Sequence, residues 1–114
     1  MKNTKKPVYM ERVKEGFKAV TSYGTGVGYI NPAYRPSGKT GTSQSFVDTD
    51  NDGKVDTETI STTFVAYAPY EDPRVTFTII SPDVSHNNGI TQYQSNINKR
   101  LADRVSKKYF DFYQ

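Results

Sequence analysis

The stretch Arg74–Ile80 constrains this chain most. Val75, Phe77 and Ile79 alternate with Thr76 and Thr78 before a fully apolar Ile79-Ile80 end. A period of two puts one set of side chains on each face of a β-strand, and β-branched and aromatic residues suit that pleated surface. A second run, about Ile60–Ala68, holds Phe64, Val65, Ala66 and Tyr67. Only Pro69-Tyr70-Glu71-Asp72-Pro73 separates the two, so they are expected to form a hairpin. A third run, about Ser37–Val47, is rich in Thr and Ser and predicts a polar first strand. The acidic stretch Asp48–Glu58 joins it to the second.

Segments of helical period flank these strands. In Tyr9–Ser22, Val13, Phe17 and Val20 recur at helical spacing, with Met10 on the same side. Gly16 weakens this helix and Gly24 is its expected stop. Tyr23–Pro36 carries Gly24, Gly26, Gly28, Pro32 and Pro36 and reads as a loop. Gly24-Thr25-Gly26-Val27-Gly28 follows a helix, not a strand, and lacks the spacing of a dinucleotide or phosphate loop. After a loop at Pro82–Gly89, Ile90, Tyr93, Ile97, Leu101 and Val105 predict a long C-terminal helix with one apolar stripe. Tyr109, Phe110, Phe112 and Tyr113 form an aromatic tail. The expected fold class is therefore α+β: an antiparallel three-stranded sheet between an N-terminal and a long C-terminal helix. Residues 1–8 are expected to be a flexible tail, and 9–114 the folded portion.

Composition excludes several function classes. The 114 residues suit one small domain or part of a larger one, and 34% hydrophobic residues allow a modest core. With no cysteine there is no disulfide framework and no thiolate metal site. No apolar run approaches a membrane span, and no secretory signal is visible. Fifteen basic against twelve acidic residues give a net charge of +3, with Lys2, Lys5 and Lys6 at the start and Lys99, Arg100, Arg104, Lys107 and Lys108 near the end. These read as solvated faces, so no nucleic-acid partner is expected. His86 is the only histidine and reads as a loop residue.

Ser37-Gly38-Lys39-Thr40-Gly41-Thr42-Ser43-Gln44 opens the first strand. Lys-Thr-Gly is one of the signatures of serine penicillin-recognising enzymes. The wider order is a helix, the Gly24-Thr25-Gly26 loop, this motif, the strand Thr63–Pro69 and the Asp72–Val75 hairpin. From about Tyr9 to the end it resembles the C-terminal part of the transpeptidase domain of class B penicillin-binding proteins, with the Gram-positive elongation type most similar. The resemblance implies that the first strand walls an active-site cleft. Lys39 sets a positive field there, and Gly41 lets a peptide or β-lactam approach the backbone. Thr40 and Thr42 offer hydroxyls to a substrate carboxylate. The backbone N–H of Thr42 is implied as one of two oxyanion-hole donors. The implied partners are peptidoglycan stem peptides and β-lactams, met through the full domain, and the upstream part of the same protein. The implied location is the extracellular face of the cell membrane, with the fragment itself soluble.

The nucleophile motif Ser-x-x-Lys does not occur: Ser22, Ser37 and Ser95 meet Thr25, Thr40 and Asn98 at the third following position. Ser85-His86-Asn87 matches Ser-x-Asn but follows Lys-Thr-Gly, so it reads as coincidence. Without an activated serine, no acyl-enzyme forms on this chain. The family's sheet has five strands. The third strand here lacks the N-terminal strand it pairs with there, so self-association through the exposed strand 74–80 is expected.

Asp48-Thr49-Asp50-Asn51-Asp52-Gly53-Lys54-Val55-Asp56 also resembles the start of an EF-hand loop, with hard oxygen donors around a glycine turn. Asp48, Asp50, Asp52 and Asp56 are the candidate ligands for a structural calcium. Position 12 is Thr59 where the motif needs a bidentate glutamate, and strands, not helices, flank the loop. A solvated Asp52-Gly53 turn explains the same residues.

Overall fold

A computed structural model describes residues 7–86 and 96–113. The chain runs α1 (Pro7–Ser22), a 3-10 turn (Pro32–Tyr34), β1 (Ser37–Val47), β2 (Thr57–Ala68), β3 (Val75–His86) and α2 (Ile97–Phe112). The three strands make one antiparallel sheet in the order β1-β2-β3. The α+β expectation holds, and β1 has the limits that the sequence suggested.

Several boundaries move. Pro7 and Val8, expected in a flexible tail, begin α1. A first-turn proline costs no helical hydrogen bond, because that N–H has no partner in any case. The helix stops where predicted: the N–H groups of Tyr23 and Gly24 both reach the Ala19 carbonyl at 3.0 Å. β2 starts at Thr57, three residues early, because Val47 pairs with Thr57 and closes the acidic connection into a hairpin loop. β3 continues to His86 through what was expected to be loop. Pairing passes from Thr62↔Ser81 to Ile60↔Ser85, so a bulge absorbs Pro82 and Asp83. Asp83 takes a positive φ of 53° there. Proline is tolerated because β3 is an edge strand, where its missing N–H need not serve a ladder.

The register assigns faces, since directly paired residues share one. Thr40, Phe64 and Ile79 lie in one row; Gly38, Ala66 and Phe77 lie in the next. This face carries the core. Phe64 and Ala102 are fully buried, with Ile30 and Ala66 beside them and Tyr29, Tyr34, Phe77 and Ile79 packed around. Tyr29 tilts onto the Phe64 ring at 4.5 Å between centroids, and Tyr34 stacks on Phe110 at 4.4 Å.

The helices pack differently from the pattern read in the sequence. The expected stripe Ile97, Leu101 and Val105 stays 40–44% exposed. The line one residue further on, Asn98, Ala102, Ser106 and Phe110, is the buried one. One residue is a rotation of about 100°. The polar residues on that line explain the seating. Asn98 donates to the Thr62 hydroxyl at 3.0 Å and accepts from Ser81 at 2.6 Å, so it bridges β2 and β3. The Ser106 hydroxyl returns to the Ala102 carbonyl at 2.7 Å. Every buried hydroxyl and amide on this line is thereby satisfied, and the small residues let the helix approach the sheet. The predicted Ile90 and Tyr93 lie outside the described residues. In α1, Met10 and Val13 are exposed, Phe17 and Val20 half-buried, and Thr21 is buried with its hydroxyl on the Pro36 carbonyl at 2.8 Å.

Candidate functional site

β1 pairs with β2 on one side only, so its other edge is free along Ser37–Val47 among the described residues. The motif sits at the start of this edge. Two glycines there are needed by the sheet itself. A Cβ on Gly38 would lie 2.6 Å from the Val65 carbonyl oxygen, and one on Gly41 would lie 2.5 Å from the Thr63 hydroxyl. Both distances are below any van der Waals contact, so the close approach demanded of Gly41 comes first from its own neighbour in β2.

Lys39 is exposed on the face opposite the core, and its ammonium donates to the Thr40 carbonyl at 2.6 Å. Thr40, half-buried on the core face, has its hydroxyl 2.7 Å from that of Thr25. Thr42 is exposed on the same face as Thr40, opposite Thr62. Lys39, Thr40, Gly41 and Thr42 thus line one continuous stretch of free edge. The Thr25 contact was not foreseen. The sequence marked its loop only by glycines, and nothing in the spacing shows which strand residue the loop reaches.

The acidic loop lies at the other end of β1. Carboxylate oxygens of Asp48, Asp50 and Asp56 come within 4.8 Å of one another, and Asp52 stands outside that group. These carboxylates already serve the loop. Asp48 accepts from the Gly53 N–H at 2.7 Å and the Asp52 N–H at 3.3 Å, and Asp52 accepts from the Lys54 N–H at 2.8 Å. Asp56 accepts from the Thr49 and Thr57 hydroxyls, each at 2.7 Å. Partial desolvation pushes the Asp48 carboxyl up, but the Gly53 N–H, Asp50 and the neighbouring N–H groups outweigh it and hold it below the usual range. The Thr57 and Thr49 hydroxyls lower Asp56, against a smaller desolvation effect. Thr59, at the position where an EF-hand needs its bidentate carboxylate, is buried in β2 and donates to Asp83. His86 ends β3, and no second histidine exists to share a metal with it.

Residues 1–107 match the family model described as the penicillin binding protein transpeptidase domain. Penicillin-binding protein 2A of Bacillus subtilis (strain 168) is 36% identical over 109 residues, covering 93% of this chain and 14% of that protein. Penicillin-binding protein H of the same organism is 33% identical over 100 residues, covering 88% of this chain and 13% of that protein. Among solved structures, the D,D-transpeptidase domain of a peptidoglycan glycosyltransferase from Eggerthella lenta superposes with a TM-score of 0.61 at 27% identity. That match covers 89% of this chain and 19% of that one.

Proposed function

The chain belongs to the penicillin-binding protein transpeptidase family, and from that premise we propose that β1 is the substrate-binding wall of a D,D-transpeptidase. The observation that carries this reading is the placement of Lys39-Thr40-Gly41-Thr42 on a free strand edge. An extended peptide ending in D-Ala-D-Ala, or a β-lactam, aligns along such an edge by main-chain hydrogen bonds. Lys39 draws the substrate carboxylate, and the Thr40 and Thr42 hydroxyls receive it. The Thr42 N–H stabilises the oxyanion as the carbonyl is attacked, an effect worth about 3 kcal/mol for one donor.

The attacking serine belongs to sequence outside these residues, since no Ser-x-x-Lys occurs in them. On this reading the stretch is inactive alone, and the reaction proceeds on the outer face of the membrane by acylation of that serine and aminolysis by a second stem peptide. No described helix is long and apolar enough to cross a membrane. The outer edge of β3 is the second reactive surface, fit for a strand of another copy of this chain. Thr76, Thr78 and Ile80 are exposed along it, with no charged residue between Val75 and Ser81 to discourage pairing.

A fluorescent penicillin tests the site. It is offered to this chain alone and to this chain mixed with the upstream remainder of a transpeptidase domain. Labelling of the upstream piece only in the mixture is the expected result. Labelling of this chain alone would show a nucleophile within it and overturn the reading.

A further inference from the structure

The Thr25–Thr40 contact joins a loop to the motif strand, and the loop is built to hold it. Beyond the helix-ending bonds to Ala19, the Gly26 N–H reaches Val20 at 2.8 Å, Val27 reaches Gly24 at 3.3 Å and Tyr29 reaches Gly26 at 3.2 Å. Gly26 is buried, and a Cβ there would lie 3.0 Å from Val20 Cγ1 and 3.2 Å from its carbonyl oxygen. A Cβ on Gly24 would meet Val20 Cα at 3.0 Å. Thr25 is therefore carried between two glycines pressed on the last turn of α1. Its backbone is fixed by nested turns, and its side chain faces out toward β1.

A threonine hydroxyl has one proton to give and two lone pairs to receive. The 2.7 Å contact permits either hydroxyl to donate. If Thr40 donates to Thr25, its proton is spent and it can offer a carboxylate nothing. If Thr25 donates, the Thr40 proton remains free, and a hydroxyl that accepts one hydrogen bond becomes a better donor of another. Lys39 restrains the same residue from its backbone side through the Thr40 carbonyl.

We propose that Thr25 is a positioning residue: its hydroxyl donates to Thr40 and leaves the Thr40 proton aimed at the carboxylate of the incoming substrate or β-lactam. This rests on the reading of β1 as the substrate wall. Thr25 itself need not touch the substrate.

The test uses the complete transpeptidase domain containing this stretch, acylated by benzylpenicillin and by its uncharged methyl ester. Thr25→Val keeps the shape and removes the hydroxyl; Thr25→Ser keeps the hydroxyl. Losing one hydrogen bond of this kind is expected to slow acylation by benzylpenicillin about three- to tenfold in T25V. T25S stays near the parent rate, the ester reacts equally with all forms, and T25V adds nothing to the loss in T40V. Equal rates for T25V and the parent overturn the proposal. So does a T25V loss of the same size with both compounds, which would mark a merely structural role. Failure of the parent domain to react with either compound, while T25V and parent melt alike, removes the substrate-wall reading itself and this inference with it.

Discussion

The two edge strands of this sheet are opposites in chemistry. β1 presents glycine, lysine and threonine; β3 presents valine, phenylalanine and isoleucine with threonines between. Both edges expose main-chain groups to a new strand. The β1 edge offers a charge and hydroxyls beside them, which suits a small polar ligand with a carboxylate. The β3 edge exposes the Thr76 and Thr78 hydroxyls and Ile80 but no charge between Val75 and Ser81, which suits another strand of protein. On the proposed reading, one three-stranded ladder offers a ligand edge and an assembly edge, and the side chains decide which is which.

The largest effect expected from breaking this contrast is at Lys39. In a complete domain, K39A should slow acylation by penicillin about a hundredfold or more, with little change in melting temperature; stopped-flow labelling measures it. A loss below about threefold would mean that the charge on β1 is incidental. Next is packing within the ladder. G38A drives a Cβ against the Val65 carbonyl, which cannot rotate away, and should destabilise by about 1–3 kcal/mol in urea unfolding. G41A meets only the Thr63 side chain and should cost less, with part of the loss recovered by T63A.

The assembly edge gives a smaller, concentration-dependent effect. T78K puts a charge in the middle of β3 and should shift this chain toward monomer in sedimentation velocity, whereas a lysine at exposed Ser43 on β1 should not. Equal behaviour of the two variants would erase the distinction between the edges. Smallest is the buried Ser37 hydroxyl at the start of β1, which has no hydrogen-bond partner among the described residues. S37A removes an unmet polar group and should leave stability unchanged or raise it by about 1 kcal/mol in the same urea assay.

Acid probes the far end of β1. Asp48 and Asp56 are lowered from the ordinary value of 3.8 by hydrogen bonds that exist only in the folded loop. Their contribution is therefore complete above that value and is lost as pH falls through the lowered folded values. D48N and D56N should flatten the decline in melting temperature below about pH 4. Unchanged pH profiles in both would remove these carboxylates from the loop's stability.

What the sequence disclosed follows from how local each signal is. β1 was legible to its ends because Pro36 and Asp48 bracket it and its motif is contiguous. Most of β2 was legible from its β-branched and aromatic run Phe64–Tyr67, and the start of β3 from the alternation of Val75, Phe77 and Ile79. The end of β3 was hidden because Pro82 and Asp83 carry a turn signal, and only the register with β2 shows a bulge instead. The face of α2 was misread for a related reason. Hydrophobic spacing selects Ile97, Leu101 and Val105, but the sheet below offers the Thr62 and Ser81 hydroxyls, and Asn98 answers them. Of the candidate site, the shared strand of Lys39–Thr42 could be read from type and order. The tie between Thr25 and Thr40 could not, since it depends on where a loop lies in space.

The central claim is that the free edge of β1 receives the substrate. The most direct measurement is a crystal structure of a complete domain containing this stretch, acylated by benzylpenicillin. The acyl carbonyl oxygen is expected within hydrogen-bond distance of the Thr42 N–H, and the carboxylate on the Thr40 and Thr42 hydroxyls near Lys39. An adduct seated away from β1, with Lys39–Thr42 untouched, would contradict it.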